Sequence, residues 1–403
     1  MKIHFLGGAG EIGMNMFLYE SDYSAIIVDC GVRFGDFTTP GVDYVIPDFS
    51  YLHGLAGKLS GVIITHGHED HLGATPYLMK TFNMEVYAGE LAIGILKNKM
   101  AEHMLKCSYH KIRDGDEIEL GDIKVSFMEV NHSIPDTFCL KIKSGKDTFF
   151  HMSDFKIDRT PAGGKPYKTG SFKRFVGKDK ITAALMDSTS ATNDGKCPSE
   201  LSIRKDLFNI VKDAPGRVFF TTFSSNIYRI SQFVEVCESL NRKILVEGRS
   251  IEKNLKIARD LNIVNFDRNI FITLKDINKY PENQICCLIT GCQGEISSAL
   301  NRVANKERAS LQIKEGDTFI FSSRVIPGNE REYINILNSI VSNGGRFVDG
   351  ESAHVHVSGH AYKKDIQTVL KQVAPKYFIP IHGEPIHVTA NIQNALETGM
   401  LQR

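Results

Sequence analysis

The sequence predicts an α/β sandwich whose chain is interrupted by an inserted, doubly wound domain with a parallel sheet. Three observations predict it. The first half reads as short apolar strands separated by glycine-rich turns, the texture of sheet packed on sheet with helices outside. From residue 199 the chain instead alternates amphipathic helix and apolar strand, the pattern of a parallel sheet. Metal-type side chains cluster at 66–71, and histidines gather again after residue 350, so the chain leaves a site and returns to finish it. The expected boundaries are 1–195 for the first part of the sandwich, 196–347 for the insertion and 348–403 for the return segment.

The elements follow in order. Apolar, β-branched runs closed by glycine or a polar residue predict strands at 3–6, 15–20, 25–29, 62–65, 123–129, 138–143 and 148–151. Helices are expected at 71–81, directly after the histidine cluster, and at 91–100, after Gly89. In the insertion, helix periodicity covers 200–211, 227–240, 251–261, 297–305 and 330–341. Strands are expected between them at 217–221, 243–246, 285–290 and 318–322. Asn329 with Glu332 predicts a capping box for the last of these helices.

Composition narrows the function classes. The chain has 403 residues, 42% hydrophobic and 24% charged, which suits two or three globular domains. A net charge of +1 gives no global field for nucleic acid, so any RNA contact needs a local basic surface. Residues 156–180 are one candidate, with Lys156, Arg159, Lys165, Lys168, Lys173, Arg174, Lys178 and Lys180 against only Asp158 and Asp179; a solvated loop is the alternative. Eight scattered cysteines without a Cys-x-x-Cys pair read as reduced core thiols. The chain enters a strand from residue 3, and no apolar stretch approaches the ~20 residues of a membrane span, so a cytoplasmic protein with no membrane contact is expected.

Thr65-His66-Gly67-His68-Glu69-Asp70-His71 is the most constraining segment. Three imidazoles and the Asp70 carboxylate follow an apolar strand in one loop, the layout of a two-zinc hydrolase; the bland alternative is a histidine-rich surface loop. Two metals need about six to eight ligands, more than one loop offers. His132, Asp154 and His382 each stand just past an apolar run and complete a coherent set.

These residues resemble the metallo-β-lactamase-fold hydrolases. The insertion points to their β-CASP branch, and the match is closest to the bacterial ribonuclease J family. It covers nearly the whole chain: the glycine-rich segment 7–15, Asp29-Cys30-Gly31, 40–48, 154–158, 187–190, Thr290-Gly291-Cys292-Gln293-Gly294-Glu295, Pro327-Gly328-Asn329-Glu330 and 356–361. The resemblance implies an αββα sandwich with an inserted β-CASP domain. It implies that His66, His68 and His132 hold one zinc, that Asp70, His71 and His382 hold the other, and that Asp154 bridges them. Two Zn2+ per chain are thus expected, with Mn2+ or Mg2+ as substitutes. Asp29 corresponds to an acid that orients ligands. Asp70, Glu295 and His360 are the implied catalytic residues, with His360 protonating the leaving group or holding the phosphate. A histidine at the His382 position favours RNA over DNA.

The implied activity is 5′→3′ exonucleolytic and endonucleolytic cleavage of single-stranded RNA in decay or maturation, preferring 5′-monophosphate ends and leaving 5′-phosphate products. Ser225, Asn226 and the loop His356, Val357, Ser358, Gly359 and His360 would hold the terminal phosphate; free N–H groups at the helix start near Ile227 favour an anion, though simple N-capping accounts for the pair as well. The segment Gly7-Gly8-Ala9-Gly10 reads as tight turns beside the metal site, His151 and His354 as supporting or core histidines, and Phe82 and Phe172 as packing. Relatives usually continue into a C-terminal domain that supports oligomerisation and RNA engagement, whereas this chain stops 21 residues past His382, at Arg403; a homodimer stays open. Arg324 departs from the family pattern. Two other readings remain: a catalytically idle RNA-binding subunit, which usually lacks ligands, and a small-molecule ester or thioester hydrolase, against which the insertion argues.

Overall fold

The computed structural model describes residues 1–35, 39–326 and 328–400, so Pro327 of the motifs above lies outside the described residues. The chain forms two compact units, Met1–Cys197 with Gly359–Arg403, and Pro198–Ser358. Residues 348–358, assigned from sequence to the return segment, thus group with the second unit.

The first unit holds two six-stranded sheets. One runs in the order Lys2–Gly7, Met16–Glu20, Ala25–Val28, Leu59–Ile64, Val86–Ala88, Tyr109–Lys111, antiparallel over the first three strands and parallel thereafter. The other runs Tyr377–Ile381, Ala183–Asp187, Asp147–Met152, Thr137–Ser144, Ile123–Val130, Glu117–Leu120. The return segment therefore supplies an edge strand, parallel to Ala183–Asp187. Strand periodicity builds the core. Val125, Phe127, Leu140, Ile142, Phe149 and Leu185 of one sheet pack against Phe17, Tyr19, Ile26, Val28 and Ile63 of the other. The alternate residues Phe150, Met152, Ala184 and Met186 face outward, under the helices Ser171–Val176 and Lys363–Val373.

Among the described residues the second unit is built on one six-stranded sheet, parallel throughout, in the order Phe271–Ile272, Lys243–Glu247, Ile285–Ile289, Val218–Thr221, Thr318–Phe321, Arg346–Val348. Helices Arg204–Asp213, Ile227–Ser239, Arg249–Asp260, Ala299–Ala304 and Glu330–Ser342 alternate with the strands. This is the doubly wound α/β arrangement expected from the alternating pattern.

Some local expectations are corrected. The helix expected over 71–81 is two pieces, Glu69–Leu72 and Thr75–Thr81, because Gly73 and Ala74 interrupt it and Pro76 supplies no N–H to continue it. Asn329 makes no side-chain cap; its carbonyl accepts the Tyr333 N–H at 2.9 Å, while Glu330 takes the Gly328 N–H at 2.8 Å. None of the eight cysteines forms a disulfide, and seven are buried. Phe82 and Phe172 are buried packing residues. In the basic run Lys156 is buried and lies 3.7 Å from Asp158, while Lys165 pairs with Asp114 at 2.8 Å and Glu129 at 3.1 Å. Among the described residues, no helix is long and apolar enough to cross a membrane.

One core polar residue has a measurable consequence. His151 stands in register with Leu140 and Leu185, so its ring enters the space between the sheets. There the Tyr19 hydroxyl lies 2.9 Å from Nδ1, and Nε2 is buried without a partner among the described residues. Burial pushes the imidazole down to about 3 from 6.5. The unfolded chain therefore binds this proton more readily, so the residue's contribution is complete above pH 6.5 and declines as pH falls toward 3. In urea titrations, His151→Gln should show a shallower loss of stability between those limits. Identical acid-side slopes would rule out a buried neutral His151.

Candidate metal centre

The site lies in the first unit and is assembled from strand ends. The loop after Leu59–Ile64 carries His66 and His68, and the short helix Glu69–Leu72 carries Asp70 and His71. His132 follows Ile123–Val130, Asp154 follows Asp147–Met152, Asp187 ends Ala183–Asp187, and His382 follows Tyr377–Ile381. Close backbone packing seats the loops. A Cβ on Gly31 would stand 1.7 Å from the Asp70 carbonyl oxygen, so only glycine allows that approach. Asp29 and His382 both adopt left-handed backbone, φ 62° and 51°. The His382 N–H donates to the Gly8 carbonyl at 2.7 Å, which gives the glycine-rich turn its place beside the site.

Two donor groups share one carboxylate. In the first, His66 Nε2 and His132 Nε2 each lie 3.1 Å from His68 Nδ1. Asp154 Oδ2 is 3.6 Å from His66 Nε2 and 3.5 Å from His132 Nε2. In the second, Asp70 Oδ2 lies 3.6 Å from His71 Nε2 and 3.1 Å from His382 Nε2. Asp154 Oδ1 is 3.3 Å from His71 Nε2 and 3.0 Å from His382 Nδ1.

The donor set fits divalent metal ions. Tetrahedral zinc with Zn–N of about 2.0–2.1 Å sets its ligand nitrogens about 3.3–3.4 Å apart, close to the spacing of the first group. The far nitrogens point to the same use. His132 Nδ1–H donates to the Gly359 carbonyl at 2.8 Å, leaving the Nε2 lone pair inward. Thr65 Oγ1 donates to Asp29 Oδ2 at 2.8 Å and lies 3.0 Å from His66 Nδ1, whose N–H it accepts. His71 Nδ1–H donates to Asp29 Oδ2 at 2.8 Å, and Asp29 Oδ1 accepts the Thr65 backbone N–H at 2.7 Å. Asp154 Oδ1 is buried and, among the described residues, meets no well-aligned hydrogen-bond donor.

Electrostatics agree with this fit. Burial holds His66 well below the usual histidine range and pushes His68 to about 4 and His132 to about 3, so these imidazoles are neutral donors of a lone pair. Burial also opposes charge on His71, but Asp154, Asp70 and Asp29 outweigh it and raise the ring to about 10. Asp154, with further hydrogen bonds to carboxylates, likewise outweighs burial at His382. The carboxylates that hold protons on these rings equally attract a divalent cation, whose binding displaces the protons.

His360 joins the same cluster. Its Nδ1 lies 2.8 Å from Asp187 Oδ2 and 3.8 Å from Asp154 Oδ2, and Asp154, Asp187, His360 and His382 form a third donor group. Asp187 was visible in the sequence only as part of a motif and had no assigned role; its signal was a carboxylate ending an apolar run. Glu295 is exposed in the second unit, where it accepts the Gln293 N–H at 3.2 Å. Ser225, Asn226, His356, Val357 and Ser358 also belong to the second unit, whereas Gly359 and His360 belong to the first. Asn226 caps the helix Ile227–Ser239 by accepting the Arg229 N–H at 3.3 Å. His354 is tied to Ser202 at 2.7 Å.

Comparison with known proteins places the chain. Residues 9–150 match the metallo-beta-lactamase superfamily, 215–340 the beta-CASP domain of ribonuclease J, and 348–399 the RNA specificity domain of Zn-dependent metallo-hydrolases. A Ribonuclease J of Helicobacter pylori (strain ATCC 700392 / 26695) is 41% identical over 406 residues, covering 100% of this chain and 59% of the relative. The chain thus spans about three fifths of that protein. A Ribonuclease J of Sinorhizobium meliloti is 37% identical over 98% of this chain and 71% of its own length. A crystal structure of a protein of unknown function from Enterococcus faecalis V583 shares the fold, with TM-score 0.68 at 16% identity over 96% of this chain and 95% of that one.

Proposed function

Because the chain belongs to the ribonuclease J family, we propose that it is a zinc-dependent nuclease of single-stranded RNA, acting 5′→3′ from 5′-monophosphate ends and also at internal sites. The observation that carries this reading is the pair of His/Asp donor groups sharing Asp154. His66, His68 and His132 would hold one ion, Asp70, His71 and His382 the other, with Asp154 between them. Bound there, the ions supply Lewis acidity and make water a nucleophile near neutral pH, with Mn2+ or Mg2+ as substitutes.

The protein's own residues do the rest. Asp29 keeps His71 in one ring orientation, and the Gly359 carbonyl does so for His132. Asp187 fixes His360 through Nδ1, so that Nε2 gives its proton to the departing 3′-oxygen and the product carries a 5′-phosphate. By the family resemblance, Ser225, Asn226 and the 356–360 loop would receive the terminal phosphate, and Glu295 would be a further catalytic residue. The complete donor sets speak against an idle subunit. Assembly as a homodimer in the cytoplasm belongs to the same reading.

The test is one RNA, 3′-labelled, prepared with 5′-monophosphate, 5′-triphosphate and 5′-hydroxyl ends. Release of mononucleotides fastest from the monophosphate form is expected. Equal rates from all three, without mononucleotides, would remove the exonuclease part, and absence of RNA cleavage beside turnover of small esters would replace the whole reading.

A further inference from the structure

Arg229 sits in the first turn of the helix Ile227–Ser239, with its side chain 1% exposed. A buried guanidinium is tolerated only when its charge is paired and its donors are answered. Here all five N–H groups have partners. Nε and Nη2 grip the Glu200 carboxylate at 2.7 and 2.6 Å, Nη1 donates to the Ser322 carbonyl at 3.0 Å, and Nη2 donates to the Val357 carbonyl at 3.0 Å. The remaining Nη1–H meets His356 Nδ1 at 2.6 Å. A guanidinium only donates, so Nδ1 must accept and the ring proton belongs on Nε2. Ser322 Oγ holds the Val355 carbonyl at 2.5 Å, so the segment 355–357 is gripped by its carbonyls from two sides.

The ion pair with Glu200 compensates the buried charge, and any acceptor would answer the remaining donors. This does not account for two donors being directed at His356 and Val357, both in the loop assigned above to the terminal phosphate. We propose that Arg229, braced by Glu200, is a positioning residue of that pocket. It fixes His356 in the Nε2–H tautomer and holds 355–357 in place, acting through the loop and not by touching RNA. This rests on the 5′-end reading given above.

Arg229→Lys keeps the charge but cannot span Glu200, His356 and Val357 together. The double variant Arg229→Gln with Glu200→Gln removes both charges, so none is left buried alone. In each, KM for 5′-monophosphorylated RNA should rise about ten-fold, the effect of losing a charge-assisted hydrogen bond, while KM for the 5′-hydroxyl RNA stays put. A purely structural loss would move both substrates alike. Independently of any folding defect, long-range 1H–15N spectra of the wild type should show His356 protonated at Nε2, its signals identified by their loss in His356→Gln. Retention of full end discrimination in both variants, or an Nδ1–H tautomer, would overturn the role of Arg229 and leave the 5′-end reading standing. A wild type indifferent to the 5′-phosphate would overturn that reading first, and with it the purpose assigned to Arg229.

Discussion

Alanine at His68 or Asp70 is expected to lower RNA cleavage about a thousand-fold or more. Lewis-acid stabilisation is worth several kcal/mol, and each ~1.4 kcal/mol is a factor of ten in rate. His68 is the residue whose loss should cost most in the first donor group, because its Nδ1 lies 3.1 Å from both partner nitrogens. Asp70 plays the same part in the second, between His71 and His382. The fold should survive either change. What the surrounding loops use at residue 70 is its backbone, whose carbonyl accepts the Asn15 N–H at 2.9 Å, and the Asp70 side chain is 27% exposed. Metal content by elemental analysis, circular dichroism and cleavage of labelled RNA check this together. Folded variants that keep near wild-type rates would refute the assignment of these donors.

His360→Gln is expected to reduce cleavage by about 10²–10⁴-fold, the usual worth of a positioned general acid. Burial disfavours the charged ring, but Asp187 and Asp154 outweigh it and raise His360 above the ordinary range. A raised value keeps the proton in place at neutral pH, as an acid requires. Cleavage by the wild type should therefore fall on the alkaline side as His360 loses its proton, and that limb should vanish in His360→Gln. Asp187→Asn removes the carboxylate 2.8 Å from Nδ1 and should move the limb to lower pH. An unchanged pH profile in both variants would remove His360 from proton transfer.

Much of the fold was legible because periodicity is a local signal. The β-branched run Ala25–Val28 and residues Val62, Ile63 and Ile64 of the neighbouring strand are buried on both faces, and read as continuous apolar stretches. The helices of the second unit show their buried stripes at helical spacing, as in Ile251, Leu255 and Ala258. The short strands Tyr109–Lys111 and Arg346–Val348 were not legible, since three residues carry no period and their pairing partners decide their state. The Asn329 capping box fails for a related reason: the Asn329 N–H, which Glu332 would have accepted, already donates to the Ile326 carbonyl at 3.0 Å.

The candidate site divides in the same way. Ligand chemistry is written in residue type and spacing, so His66, His68, Asp70, His71, His132, Asp154 and His382 could be named before any fold was known. Asp29 could be named only through resemblance, Asp187 only as part of a motif without a role, and Arg229 not at all, because a carboxylate or guanidinium in the chain does not announce which distant nitrogen it will meet. Tertiary structure decided that His382 meets Asp70 across 312 positions, that Asp187 takes His360 Nδ1, and that Arg229 reaches His356. It also decided the ring tautomers, which depend on the partner opposite each nitrogen. Sequence determines which donors exist and which strand ends carry them; only the closing of the sheets sets their distances and burial, and with those their charge.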